Sequence, residues 1–122
     1  MTLEELYGSI GGDLDQALRV LRVEKLVDKH IRRFAQNGVM DALLEAGETL
    51  DPTRMFETAH AAKGVCGNLG LTEMYGLVSE LSEEFRPGSA RQLSDDAVKE
   101  KLGEVRALYG RMADGIRAYE EA

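Results

Sequence analysis

Val98, Leu102, Val105, Tyr109, Met112, Ile116 and Tyr119 follow one another at alternating spacings of four and three. Only an α-helix gathers such positions onto one side, and a stripe this long needs an apolar surface to cover. A free-standing coiled coil is one way to cover it. Packing inside an antiparallel bundle is the other, and the remainder of the chain favours it by supplying several shorter amphipathic segments that need the same surface.

Those segments are marked by their start and stop signals. Leu3, Leu6, Tyr7 and Ile10 share a face of a short helix that Gly11-Gly12 stops. Asp13 is a capping residue for the next piece, with Leu14, Ala17, Leu18 and Leu21 on one side. The period continues through Val23, Leu26, Val27, Ile31 and Phe34 to Asn37-Gly38, so residues 13–36 form either one bent helix or two. Val39, Met40, Leu43 and Leu44 form a short stripe closed by Gly47. Asp51-Pro52 is a strong start, an N-cap followed by proline at the first helical position, with Leu50 and Met55 spaced for a hydrophobic staple. That helix is expected to run to Asn68 and end at Gly70. Another follows over Thr72–Phe85, with Met74, Leu77, Val78, Leu81 and Phe85 inward. Arg86-Pro87-Gly88-Ser89 reads as a loop, and Ser94 caps the last helix, with Leu93 and Val98 as a second staple. The expected architecture is all-α: an antiparallel up-down four-helix bundle over about 23–121, preceded by short accessory helices at 3–10 and 13–22, in a single domain of residues 1–122.

Charge and composition narrow the function. The chain carries 22 Asp plus Glu against 15 Lys plus Arg, a formal charge of -7. Nucleic acids and anionic membranes call for a net basic footprint, so neither is an expected partner. No apolar run approaches the roughly 18 residues of a membrane span, and the N-terminus lacks the pattern of a secretory signal. A cytoplasmic domain is the expectation. The single cysteine, Cys66, excludes an internal disulfide and a cysteine-only metal cluster.

One helix carries an unusual outer face. In projection, Pro52, Met55, Thr58, Ala59, Ala62, Cys66 and Leu69 form the core side of the helix that starts at Asp51-Pro52. Phe56, His60, Lys63, Gly64 and Gly67 fall on the other. An outward phenylalanine one turn before a histidine suggests a docking surface. A lysine one turn after it can reach phosphoryl oxygens as a point charge. The two glycines remove side chains beside the imidazole, and imidazole is a competent nucleophile near neutral pH, its unperturbed pKa being about 6.5.

The run His60-Ala61-Ala62-Lys63-Gly64-Val65-Cys66-Gly67-Asn68-Leu69-Gly70 resembles the signature of the histidine-containing phosphotransfer (HPt) domains of two-component phosphorelays. The resemblance extends over about residues 13–120, with the motif itself confined to 51–81. Members often have Thr-Leu between the histidine and the lysine, where this chain has Ala61-Ala62. The resemblance implies that His60 is the phosphoacceptor, that Lys63 orients the phosphoryl group, and that Gly64 and Gly67, with Phe56, admit a docking response-regulator receiver domain. Asn68, Leu69 and Gly70 then finish the helix and set its junction with the next. It further implies a carrier that takes its phosphoryl group from a receiver phosphoaspartate and returns it reversibly, while the inward 98–119 stripe and the shorter helices that share its core predict a monomer. The partners would be a receiver domain and a hybrid or separate histidine kinase. No cofactor is expected in the chain itself, and Mg²⁺ belongs to the receiver. No phosphate-cradling glycine loop is present, so ATP-dependent kinase activity is not expected.

Other readings stay open. The alternatives to the carrier are a phosphotransfer domain served by a separate chemotaxis-type kinase, a non-catalytic helical adaptor that binds through Phe56, and an oligomeric bundle if the 98–119 stripe is exposed. His30, within the stripe of Val23, Leu26, Val27, Ile31 and Phe34, is read as a packed or core-edge histidine. Cys66, on the core side, is read as a small hydrophobe.

Overall fold

The computed structural model describes residues 1–121, and every regular element among them is a helix. Seven are present: α1 (Leu3–Ser9), α2 (Leu14–Leu21), α3 (Glu24–Phe34), α4 (Val39–Ala46), α5 (Pro52–Asn68), α6 (Thr72–Glu84) and α7 (Asp95–Glu121). The expected all-α bundle with short N-terminal helices is the observed fold. Its four legs are the α3–α4 pair, α5, α6 and α7. Helices α5 and α6 form the closest pair, α4 packs on α5, and α7 packs on α6, α1, α3 and α4. No described helix is long and apolar enough to cross a membrane.

The caps explain most boundaries. Thr2 and Glu5 form a reciprocal capping box at α1. Asp13 and Asp51 accept the N–H of Gln16 and Arg54 at the starts of α2 and α5. Ser94 accepts the N–H of Ala97 at the start of α7. The open question over residues 13–36 resolves as two helices: Arg22 has φ 76°, ψ -40°, and Val23 is extended, so the chain turns between α2 and α3. That turn leaves Val23 and Leu26 exposed, although their spacing groups them with the core residues, and Val20 is exposed as well.

The long C-terminal stripe faces inward. Val98, Leu102, Val105, Leu108, Met112 and Ile116 are buried on α7. Tyr109 and Tyr119 lie at its rim, packed against the core. Their hydroxyls tie α7 to α3, Tyr109 donating to the Ala35 carbonyl and Tyr119 to the Asp28 carboxylate. Leu108 completes the stripe although it lies outside the four-three spacing. Leu93 is exposed, so it does not tuck in as the expected staple beside buried Val98.

Two corrections concern residues singled out in the sequence. His30 is exposed, not packed. The buried arc of α3 is the narrow one of Val27, Ile31 and Phe34, and His30 falls outside it together with Leu26. Phe56 is half-buried and packs against the core instead of projecting freely, because α6 runs alongside it.

The turn between α5 and α6 is where the accessory helices are used. Gly70 has φ 65°, and a Cβ there would lie 2.3 Å from the Asp13 carbonyl oxygen. Asp13 donates its N–H to the Gly70 carbonyl at 2.7 Å, and Glu73 donates to Gly11 at 3.0 Å. The buried Tyr7 hydroxyl donates to the Leu69 carbonyl at 2.7 Å, and burial pushes its pKa up. Leu69 and Gly70 thus finish α5 and set its junction with α6. Exposed Asn68 is the last residue of α5.

Candidate functional site

The outer face of α5 is set by its inner one. Met55, Ala59, Ala62 and Cys66 are fully buried, which holds the helix at a fixed rotation. His60, one position after Ala59, is therefore exposed near mid-helix, and Gly64 is exposed one turn later. The side-chain hydrogen bonds of α5 belong to Asp51 and Thr58. Neither ring nitrogen of His60 is engaged among the described residues, so both are open to an incoming group. The ring stacks on Phe56, with centroids 5.4 Å apart and planes 20° from parallel. Phe56 thus restricts the imidazole instead of presenting a bare docking knob.

The two glycines of the motif differ. A Cβ on Gly64 would meet nothing within 4 Å, so the surface beside His60 is open there. At Gly67 a Cβ would lie 3.3 Å from the ring of Tyr75, so its space is taken by α6. Gly67 serves helix packing, and the open notch is at Gly64 alone. Lys63 is half-buried one turn after His60 on the same face.

Register across the tight turn brings α6 into the site. Gly67 lies under Tyr75, and eleven residues further from the turn along each arm Arg86, just past the end of α6, brings its guanidinium 5.9 Å from the Phe56 ring centre. Between those points Glu83 on α6 makes a two-point contact with Arg86, Oε2 to Nε at 3.0 Å and Oε1 to Nη2 at 2.5 Å. The Arg86 hydrogen bond holds the Glu83 carboxyl below its ordinary range, and the charge of Lys63 adds to the effect. Glu83 therefore lies within the field of both Arg86 and Lys63. Arg86 stands in the loop just past α6, as its sequence setting indicated, but its pairing with Glu83 and Phe56 was missed. The signal was available in the antiparallel register, since 56 and 86 are equally distant from the turn.

The remaining candidates are quiet. Cys66 is buried, and burial pushes its thiol up to about 12, far from a reactive thiolate. Among the described residues no group of three or more His, Cys, Asp or Glu side chains is placed to hold a metal ion. A shallow groove of about 450 Å³ lies beyond Gly67, lined by Gln16, Val20, Asn68 and Tyr75 among others. Tyr75 and Val20 make its rim apolar, each about two-fifths exposed, at 39% and 42%.

Comparison with known proteins returns no matching family model, no matching curated protein and no matching solved structure.

Proposed function

We propose that this chain is a phosphocarrier of the HPt kind, taking a phosphoryl group onto His60 from a receiver-domain phosphoaspartate and returning it. One observation carries the reading: an exposed imidazole with both nitrogens unengaged, oriented by Phe56, with Lys63 on its face and open space over Gly64. A histidine serving packing or a hydrogen-bond network would have its nitrogens engaged or covered.

The chemistry needs little from this chain. An unprotonated imidazole nitrogen attacks the phosphorus in line. The N–P bond forms as the acyl-phosphate O–P bond breaks, and the aspartate leaves as carboxylate. The acidic cluster and Mg²⁺ that balance charge on the transferring group belong to the receiver. The exposed ring and the absence of a side chain at Gly64 let a receiver bring its phosphoaspartate to the imidazole. Lys63 can neutralise a phosphoryl oxygen and so orient the group.

Incubation with phosphorylated receivers, followed by mass spectrometry, tests the reading. Label is expected on His60 and is expected to vanish in His60→Gln while folding and receiver binding persist. Transfer that survives in that variant would overturn it. The exposed apolar residues Val20, Val23, Leu26 and Tyr75 favour a second reading, a helical adaptor that binds a partner without transfer. Binding without label across a receiver panel would select it.

A further inference from the structure

We propose that Lys63 and Arg86 form a seat for the phosphoryl oxygens of modified His60, and that Glu83 occupies this seat as a resident anion while His60 is unmodified. The inference rests on the phosphocarrier reading and adds what the site does before and after transfer.

Three observations carry it. Glu83 presents its carboxylate to Arg86 through two parallel hydrogen bonds, the geometry by which a guanidinium also binds a phosphoryl group. Arg86 lies against the ring of Phe56, the same ring on which the His60 imidazole stacks. Lys63 stands one turn after His60 on the same face of α5, and its charge adds to that of Arg86 in holding the Glu83 carboxyl below its ordinary range. An anion arriving on His60 enters that same field.

The pair is also suited to exchange. Its side chains are 44% and 57% exposed, and an exposed ion pair is worth only about 0–1 kcal/mol. A phosphoryl group carries more charge than a carboxylate and has three acceptor oxygens, so it can displace Glu83 from Arg86 at little cost. Once displaced, Glu83 turns to solvent, and the cations that held it hold the phosphoryl group. In the unmodified protein Glu83 keeps Arg86 from binding other anions.

Potassium phosphoramidate tests this without any receiver. The imidazole nitrogen attacks phosphorus, the N–P bond to the ring forms, and the P–N bond to ammonia breaks, with ammonia leaving on its electron pair. Exposed His30 lies on α3 and provides a reference in the same molecule. The measured quantity is the labelling rate of His60 relative to His30, by mass spectrometry. Glu83→Gln is expected to raise the ratio and Arg86→Gln to lower it, each about two- to five-fold, the range of one exposed charge pair. Arg86→Lys should restore part of the loss. An unchanged ratio in both variants, or a fall in Glu83→Gln, would overturn the seat while leaving the carrier reading intact. A His60 that takes no label while His30 does would overturn the carrier reading and the seat with it.

Discussion

Glycine shows how little a residue's identity says until its neighbours are known. Gly64 and Gly67 share a face and a motif, yet a Cβ on one meets open space and on the other the Tyr75 ring. The outward face of α5 was legible from helical projection, because a helix with a buried small-residue side must expose its opposite side. What filled the space over that face was not, since Tyr75 arrives from α6 and Arg86 from the loop that follows it. The contrast sharpens when Gly70 is included. Gly64→Val exchanges a poor helix former for a somewhat better one on an exposed face, so stability should change by no more than about 0.5 kcal/mol. Transfer from a phosphorylated receiver should fall much further, because branched bulk then stands beside His60. Gly70→Ala should cost about 2–3 kcal/mol, since the new Cβ meets the Asp13 carbonyl at 2.3 Å and the residue must keep a positive φ. Urea melts of both variants, with transfer assays on the first, read the two effects separately. A stability loss at Gly64 matching its transfer loss would make that glycine structural as well.

Helices α1, α2, α5 and α7 declared themselves through their caps or apolar spacing. The break between α2 and α3 did not, because Val23 and Leu26 continue the apolar period across a turn that exposes them. The loop from Arg86 to Ser94 was visible as a loop, but what holds it was hidden in one acidic residue of α6. Glu84 is buried, with its carboxylate accepting the N–H groups of Gln92 and Leu93 and the Nε–H of Arg91. Arg91 in turn lies over the Phe85 ring, 4.4 Å from its centre. Burial alone would raise the Glu84 pKa. The Leu93 amide, the Arg91 guanidinium and the Gln92 amide outweigh it, so the carboxyl sits below its ordinary range. A depressed carboxyl stabilises the fold above its unfolded pKa, and that contribution is lost as pH falls through the folded value. Glu84→Gln should therefore destabilise the protein by about 1–3 kcal/mol near neutrality. The gap between variant and parent should narrow as the pH drops below the ordinary glutamate range. Denaturation midpoints measured from pH 7 to pH 3 would show this, and a gap independent of pH would mean that the charge of Glu84 contributes nothing.

The molecule as a whole is decided by where the α7 stripe goes. Its four-three spacing suits a bundle and a coiled coil alike, so spacing alone leaves the choice open. The other helices settle it: α1, α3, α4 and α6 all pack on α7, and its apolar side is consumed inside one chain. Two consequences can be measured together. With no exposed seam on α7, the protein should sediment as a monomer, because the apolar residues left outside, Val20, Val23, Leu26 and Tyr75, belong to other helices. Replacing Leu102, the second residue of the stripe and 7% exposed, by alanine should cost about 2–4 kcal/mol through lost burial and the cavity left behind. A dimer held by α7 predicts a different pattern. Its midpoint would rise with protein concentration by mass action, and Leu102→Ala would shift the association instead of unfolding a monomer. Equilibrium sedimentation combined with urea melts at two widely spaced protein concentrations separates the cases: a concentration-independent midpoint lowered by the substitution is the outcome this packing requires.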